Sequence, residues 1–326
     1  MEWTRREFAT GLALGLIGWQ RNTAWGAEKE SGMYVAVGYG GRRIASPDGI
    51  HWKHRTDWAE NGKDDDKNLM SATFGKGKFV VVGGGGWTRE TQAGHILVST
   101  DGITWRQVQK FPNRVNPVLF GGGRFIAGGP DKALLFSEDA ETWSAGGKIP
   151  FDGWAFWFRE GAYGNDRFVY VGNCEKDQKT HWSAVTGDGK TVESFVQDLP
   201  PVRGIAYGAD CFVAVGPEGR CVRSTDGITW KVQHEEPDVN LGNIVWTGSA
   251  FFATGSGKGY LSADGKSWKK VEQRIPCNVL YADASVFIGT TWPGQMWTSP
   301  DGQRWEKCDA MPPNGINQVV YGKVSV

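Results

Sequence analysis

The chain has 326 residues, among them 47 glycines and 17 tryptophans, and its formal net charge at pH 7 is zero. This length suits one large all-β domain or two ordinary domains. Nucleic acid and anionic membrane surfaces favour basic proteins, so the neutral balance argues against both as the main partner. No segment beyond residue 27 approaches the roughly 18 apolar residues that a spanning helix needs. We therefore expect a soluble protein once any leader is removed.

The first 27 residues form a unit with the features of an export signal. Arg5 and Arg6 precede a short apolar stretch, residues 9–18, and small residues follow at 24–27. A basic start, an apolar core and a small-residue site are typical of a secretory leader, and adjacent arginines resemble the twin-arginine signal. A buried or membrane-anchoring helix is the alternative, which three glycines in the short stretch disfavour. The sequence predicts a twin-arginine-like export signal at residues 1–27, a domain at 28–326 and a periplasmic or secreted protein.

A phrase of the form S-x-D-G-x-x-W recurs seven times, with some degeneracy, at intervals of 37 to 53 residues. The recurring aspartates are Asp48, Asp101, Asp139, Asp188, Asp226, Asp264 and Asp301. Units of about 40 residues match the four-stranded blade of a propeller. The sequence therefore predicts an all-β fold, a seven-bladed β-propeller.

The fifth unit illustrates how each repeat divides into strands. Residues 205–207, 212–216 and 221–224 are apolar runs, and Asp226-Gly227 then separates the third run from the residues after Trp230. An Asp-Gly pair between short strands predicts a type I′ hairpin turn. The tryptophan that follows is large enough to wedge between neighbouring blades.

The two ends of the chain are predicted to share the first blade. The first unit begins at residues 33–38 and lacks an innermost strand, whereas residues 316–322 match the innermost strand of the other units. Pairing of these segments would close the ring and hide two sheet edges.

The repeated phrase resembles the Asp-box (BNR) repeat of sialidase-like propellers, and the whole resembles photosystem-assembly and sortilin-type propellers over residues 33–326. The resemblance implies the fold. The phrase is one residue shorter between aspartate and glycine than the usual Asp-box. Sialidases have an Arg-Ile-Pro motif, whereas here Arg43-Ile44 is followed by Ala45. The arginine triad and Tyr/Glu pair of sialidases have no matching positions in this sequence. Sialidases also have six blades. No catalytic residue is carried over.

The seven aspartates could suggest a metal array, but each belongs to a different blade. Hydrogen bonds from each carboxylate to its own turn explain them without a ligand. The five cysteines, an odd number without metal-binding spacing, leave the disulfide pairing open. They are Cys174, Cys211, Cys221, Cys277 and Cys308. We expect no metal and no cofactor.

The longest intervals between repeats indicate where a ligand could bind. They lengthen blades 2 and 4 on one face of the propeller, at the ends opposite the Asp-Gly turns, and long loops on a rigid scaffold commonly carry function. We call this the long-loop face. Its loops carry His54, Trp58, Trp87, His95, Trp154, Phe156, Trp157, His181 and Trp182. Aromatic rings there could stack on sugars or grip a peptide, or pack the loops onto the propeller.

The mouth of the central channel is a second candidate site. Alignment of the innermost strands places Asn317, Met70, Asn116, Arg159, Arg203, Gly242 and Cys277 in one ring on the long-loop face. Arg159 and Arg203 come from adjacent blades, and together they could bind a carboxylate, sulfate or phosphate. Pairing of these arginines with Glu160 and other local carboxylates is the alternative.

No nucleophile elbow, zinc-protease motif, phosphate-binding loop or dinucleotide fingerprint is found in the sequence. The sequence favours a non-catalytic, monomeric module that binds a glycan or a protein. A glycoside hydrolase or lyase using carboxylates on the same face is the alternative. Candidate carboxylates are Asp57, Glu60, Glu90, Asp152, Glu160, Glu175 and Asp177. The predicted ligand site lies between blades 2 and 4 and comprises Trp87, Trp157, His181 and Trp182, with Arg159 and Arg203 below.

Overall fold

The computed structural model describes residues 30–85, 93–152, 156–174, 181–309 and 311–325. In these residues the strands form seven antiparallel sheets of four strands each. The protein is a seven-bladed β-propeller, as the repeats predict. Two short 3-10 helices also lie in the described part, at Tyr39–Gly41 and Pro130–Lys132.

The strands are numbered along the chain. Blade 1 holds β1 (Glu30–Gly38), β2 (Arg43–Ser46), β3 (Lys53–Thr56) and the last strand, β28 (Ile316–Ser325). Blade 2 holds β4 (Leu69–Gly75), β5 (Lys78–Gly85), β6 (Ala93–Ser99) and β7 (Arg106–Phe111). Blade 3 holds β8 (Val118–Gly121), β9 (Arg124–Gly128), β10 (Ala133–Ser137) and β11 (Ser144–Lys148). Blade 4 holds β12 (Phe156–Gly164), β13 (Arg167–Cys174), β14 (His181–Thr186) and β15 (Ser194–Leu199).

The last three blades have shorter strands. Blade 5 holds β16 (Gly204–Gly208), β17 (Cys211–Val215), β18 (Cys221–Ser224) and β19 (Lys231–His234). Blade 6 holds β20 (Asn243–Trp246), β21 (Phe251–Gly255), β22 (Lys258–Ser262) and β23 (Lys269–Lys270). Blade 7 holds β24 (Asn278–Ala282), β25 (Phe287–Thr291), β26 (Gln295–Ser299) and β27 (Glu306–Lys307).

The ring closes through the two ends of the chain. β28 pairs antiparallel with β1 along its length, with Tyr321 opposite Tyr34. The innermost strands contact one another in a complete circle, β28 with β4, β4 with β8, and so on to β24 with β28. The predicted construction of blade 1 from both termini is confirmed.

Each repeated aspartate is held by its own turn. In blade 5, Asp226 Oδ1 accepts the N–H groups of Ile228 and Thr229 at 2.8 Å, and the Ser224 hydroxyl donates to it at 2.8 Å. Burial raises the pKa of Asp226, but these hydrogen bonds outweigh burial and hold the pKa below its ordinary value. In blade 4, Thr186 takes the place of the serine and accepts the N–H of Gly189 at 2.8 Å.

The prediction of a type I′ hairpin turn is wrong. Gly227 has a φ of 76°, but Asp226 has no positive φ, and a type I′ turn needs both. Six residues separate β18 from β19, so the connection is a longer loop shaped by side-chain hydrogen bonds. In blade 3 the glycine is replaced by Ala140, which keeps a φ of 66°.

The tryptophan that follows the turn in six of the blades fills the space between blades, as predicted, and Val192 takes its place in blade 4. Trp143 of blade 3 belongs to the same buried cluster as Val82 and Ile96 of blade 2. Its Nε1 donates to the carbonyl oxygen of Ala140 at 3.0 Å. The hydrophobic core is therefore a series of clusters between neighbouring sheets.

The innermost strands also interlock through glycine. A Cβ placed on Gly164 of blade 4 would lie 2.1 Å from Cγ of Tyr207 in blade 5, so the ring of each aromatic residue rests on the bare backbone of the preceding blade. The glycine and aromatic partners are Gly75 and Phe120, Gly121 and Tyr163, Gly164 and Tyr207, Gly208 and Trp246, and Gly322 and Phe74.

All five cysteines are buried and unbonded to one another. Within the described residues, no helix has the length and apolar character required to cross a membrane.

Candidate functional site

Hydrogen bonds between blades join two pairs of neighbours in the channel ring predicted from the repeats, Asn317 with Met70 and Asn116 with Arg159. The Asn317 amide donates to the carbonyl oxygen of Leu69 in blade 2 at 2.7 Å. The Asn116 amide of blade 3 donates to the carbonyl oxygen of Arg159 in blade 4 at 3.1 Å. These contacts hold the start of β28 against blade 2 and the residues before β8 against blade 4.

Arg159 and Arg203 are neighbours at this mouth, and both are solvent-accessible. Enclosure by the surrounding protein lowers the pKa of the Arg159 guanidinium, and the positive charges of Arg203 and Arg114 lower it further. The Arg159 Nε donates to Asn173 Oδ1, a neutral partner. Among the described residues, no carboxylate lies within ion-pair distance of Arg159 or Arg203.

Glu160, the partner suggested by sequence for these arginines, has a different environment. Its Oε1 accepts the N–H of Gly161 at 3.1 Å. Burial raises the pKa of the Glu160 carboxyl to about 7. Glu160 therefore forms no ion pair with Arg159 or Arg203, and the charge of Asp64 offsets only part of the repulsion at Arg159.

The rim of the mouth continues from the arginines toward blade 1. Arg114 forms an ion pair with Asp64, and its Nε donates to the carbonyl oxygen of Gly84 at 2.7 Å. Burial and the negative charge of Asp64 raise the pKa of the Tyr39 hydroxyl, while Arg114 opposes that rise. Arg114, Asp64 and Tyr39 thus form one electrostatically connected stretch of the rim.

An exposed aromatic pair lies at the seam between blades 7 and 1. Trp292 is 69% exposed, and its ring meets that of Tyr39 edge to face at 5.1 Å. Both rings lie over Gly315, next to the start of β28. In a ring of seven, blade 1 lies opposite blades 4 and 5, so this seam is on the other side of the ring from Arg159 and Arg203. This pair was not predicted from the sequence, because the predicted site lies in the long loops and Trp292 lies in a short one.

Trp182, one of the predicted ligand-binding residues, is a core residue. Its side chain is 0% exposed and packs edge to face on Phe158 at 5.3 Å and against Phe195 at 6.0 Å. Trp182 lies on β14, in the middle of a sheet, and leaves no ring face open to a ligand. It packs the blade, which is the alternative that the sequence analysis kept open.

The other predicted aromatic residues are less buried or lie outside the described residues. Trp157 on β12 and His181 at the start of β14 are half-buried, and the Val202 N–H points to His181 Nδ1 at 3.5 Å. Trp87 lies outside the described residues, as does much of both predicted cleft walls. The cleft between blades 2 and 4 stays a prediction.

The candidate catalytic carboxylates are not brought together in the described part of the chain. Asp57 is ion-paired with Arg42 at 3.0 Å and with Arg55 at 3.5 Å. Glu60 and Asp152 are exposed, and Glu90, Glu175 and Asp177 lie outside the described residues. The described residues contain no group of three histidine, cysteine or acidic side chains arranged to hold a metal ion.

Comparisons with known proteins bear on the fold. No protein-family model matches the sequence, and no curated protein matches it. A structure described as YCF48 bound to D1 peptide is 15% identical, with 92% of this chain and 98% of that chain covered and a TM-score of 0.57. Apo AztD from Citrobacter koseri is 9% identical, with 91% and 99% covered and a TM-score of 0.53.

A third similar structure is the extracellular domain of the putative one-component system BT4673 from B. thetaiotaomicron. It is 12% identical, with 87% of this chain and 40% of that chain covered and a TM-score of 0.51. The shared feature is the fold. At identities this low, the structural similarity establishes only the β-propeller fold. The function has to be inferred from the residues of the site.

Proposed function

We propose that the protein is a non-catalytic binding propeller whose channel mouth takes a polypeptide segment that carries a carboxylate. The observation that carries this proposal is the pair Arg159 and Arg203, two adjacent solvent-accessible guanidinium groups without a carboxylate partner among the described residues. Guanidinium groups bind carboxylates with two parallel hydrogen bonds, and such charge-assisted bonds are among the strongest in proteins.

The electrostatics of the rim support an anionic ligand. Repulsion from Arg203 and Arg114 lowers the pKa of Arg159. Asp64 is already paired with Arg114. Bringing like charges together is unfavourable in the free protein. A bound carboxylate relieves that repulsion, so binding is favoured beyond the gain from the new hydrogen bonds.

The aromatic pair across the mouth supports a polypeptide over a small anion. Trp292 is the most exposed of the large hydrophobic residues that the structure describes, and tryptophan and arginine are enriched among the residues that dominate protein interfaces. A segment that crosses the mouth can place an acidic group on the arginines and an apolar side chain against Trp292 and Tyr39. The structure titled YCF48 bound to D1 peptide is a propeller of the same fold seen with a peptide.

Selection from a display library of random peptides tests the proposal without knowledge of the natural partner. We expect peptides selected on the wild type to be rich in acidic and bulky apolar residues. Arg159→Gln with Arg203→Gln should weaken their binding about tenfold or more, because each charge-assisted hydrogen bond contributes roughly 1.5–3 kcal/mol. Trp292→Ala should remove the preference for apolar residues and retain the preference for acidic ones.

Arg304→Gln is the matched control, because Arg304 lies in an Asp-Gly turn on the opposite face and is paired with Asp301 at 2.9 Å. Binding to the wild type should weaken as salt rises, since exposed charges are screened. Selected peptides that bind the double variant as tightly as the wild type would rule out the arginine mouth. A parallel glycan array and chromogenic glycoside panel test the glycan and hydrolase alternatives, and turnover on the panel would contradict a non-catalytic role.

We also propose that the protein acts outside the cytoplasm. The support is the sequence of residues 1–27, which lie outside the described residues. The variant with Arg5→Lys and Arg6→Lys should accumulate unprocessed in the cytoplasm if the twin-arginine pathway exports the protein. Normal export of that variant, measured by cell fractionation, would count against this route.

A further inference from the structure

Two consecutive arginines at the start of β2 have contrasting environments. Arg42 donates from Nε and Nη2 to the two oxygens of Asp57, both at 3.0 Å. Arg43 is 3% exposed, and its buried Nε and Nη2 have no hydrogen-bond partner in the described part of the protein. The same edge of the guanidinium is thus occupied in Arg42 and empty in Arg43.

Arg43 and His95 both point into the interface between blades 1 and 2. Side chains alternate along a strand, so Arg43 shares a face of β2 with Ala45. Ala45 belongs to one buried cluster with Leu97 of blade 2. His95 precedes Leu97 by two residues on β6 and therefore points toward blade 1. It is 8% exposed.

One tryptophan covers both side chains. The Trp58 ring centroid is 4.7 Å from Arg43 Cζ and 5.1 Å from the His95 ring centroid. The indole also lies against Gly41, where a Cβ would come within 2.5 Å of the ring. The Arg43 guanidinium and the His95 ring therefore both contact Trp58 at the interface between blades 1 and 2.

His95 adds a hydrogen-bond acceptor to this region. Its Nε2 is 2.7 Å from the carbonyl oxygen of Asp66, and a carbonyl oxygen can only accept, so Nε2 carries the proton. Nδ1 of the neutral ring is then an acceptor, and it is buried without a hydrogen-bond partner in the residues described. The region thus presents two N–H donors and one acceptor, all unsatisfied.

The local charge is also unbalanced. Asp57 already pairs with Arg42 and Arg55, and its charge only partly offsets the burial that lowers the pKa of Arg43. A buried polar group without a partner costs roughly 1–3 kcal/mol, and a charged one costs more. A guanidinium kept in such a place indicates a partner that enters from outside the chain.

We propose that Arg43 and His95 bind a protonated oxyanion, a hydrogen phosphate ion or the phosphate group of a monoester, beneath Trp58. Two phosphate oxygens accept from Nε and Nη2 of Arg43, as the Asp57 carboxylate does for Arg42, and the phosphate hydroxyl donates to His95 Nδ1. Trp58 is 37% exposed and forms the cover, so the ion enters when its ring swings outward. This site is separate from the channel mouth and does not depend on the function proposed for it.

The test uses the full-length protein with Arg159→Gln and Arg203→Gln, so that the channel mouth cannot contribute. Phosphate, O-phosphoserine, sulfate and acetate are titrated in Bis-Tris chloride at pH 6.5 and constant ionic strength, where phosphate and part of the phosphoserine carry a hydroxyl, with calorimetry and thermal unfolding as readouts. We expect saturable binding of phosphate or phosphoserine and a rise in Tm. Sulfate, which has the same shape without a hydroxyl at neutral pH, should bind about tenfold more weakly, the value of one hydrogen bond.

Variants of the two side chains separate this site from general anion effects. Arg43→Met should abolish saturable binding, and His95→Phe should bring phosphate down to the level of sulfate. Arg220→Met is the control, because Arg220 is paired with Glu218 and Glu235. If Arg43→Met does not fold, Arg43→Lys, which keeps the charge and loses the paired donors, takes its place.

Tighter binding of phosphate than of phosphoserine identifies a free ion as the ligand, and the reverse order identifies a monoester. Each of these two outcomes supports the site. Absence of saturable binding, equal binding of phosphate and sulfate, or undiminished binding to Arg43→Met would overturn the proposal.

Discussion

Glu160 shows how the fold changes the chemistry of a single residue. It lies on β12, the innermost strand of blade 4, and burial raises the pKa of its carboxyl from 4.5 to about 7. The folded protein therefore holds a proton that the unfolded chain releases near pH 4.5. By proton linkage, the free energy of unfolding must fall as pH rises from about 4.5 to 7, and it stays at the lower level above pH 7.

Glu160→Gln should remove this dependence, because glutamine is neutral at every pH. We expect the variant to be more stable than the wild type at pH 8 and similar to it at pH 4.5, as measured by urea unfolding across this range. Glu306→Gln, on the exposed strand β27, is the control and should leave the profile unchanged. Parallel profiles for wild type and Glu160→Gln would show that folding does not raise the pKa of Glu160.

At the scale of the element, the innermost strands depend on glycines that receive the aromatic ring of the next blade. Gly164 has no positive φ, so its role is packing against Tyr207. The same type of contact recurs between four other pairs of neighbouring blades and brings their innermost strands close together. A side chain at one of these glycines should therefore strain both the blade that carries it and the next blade.

Gly164→Ala should destabilise the protein by roughly 1–3 kcal/mol, the usual cost of overpacking. Gly242→Ala is the matched control, since a Cβ at Gly242 meets nothing within 4 Å, and its effect should be within about 0.5 kcal/mol. Thermal unfolding of both variants provides the measurement. Equal Tm values for the two would mean that the Tyr207 ring moves aside without cost.

For the whole molecule, closure depends on the last strand. β28 pairs with β1 inside blade 1 and contacts β4 and β24 in the neighbouring blades. Its loss would expose a sheet edge and open the ring at the seam where Trp292 and Tyr39 lie. Stability and the candidate site are thus coupled through one segment.

Deletion of residues 314–326 should abolish the cooperative thermal transition, as followed by near-ultraviolet circular dichroism. A synthetic peptide of residues 314–326 added in trans should restore part of the transition by supplying the missing strand. An unchanged Tm for the truncated chain would contradict a closing role for β28.

Several features could be predicted from the sequence because they repeat locally. The Ser224 and Asp226 pattern satisfies its own turn, and the recurrence of this pattern counts the blades. Alignment of the repeats also placed Arg159 beside Arg203, because equivalent positions in adjacent blades lie at the same level. Trp182 was predicted to lie in a loop but lies on β14. Composition does not show where a loop ends and the next strand begins, or which side chains of that strand point inward.

Other features depend on contacts between segments that are distant in sequence. The sequence determined the fold and its closure, because every blade repeats one set of turn hydrogen bonds and apolar strands. Tertiary structure decided that Trp292 meets Tyr39 at the seam and that Arg43 and His95 both contact Trp58. No local pattern encodes these pairs, because their distances are set by how two sheets pack and by where the ring closes.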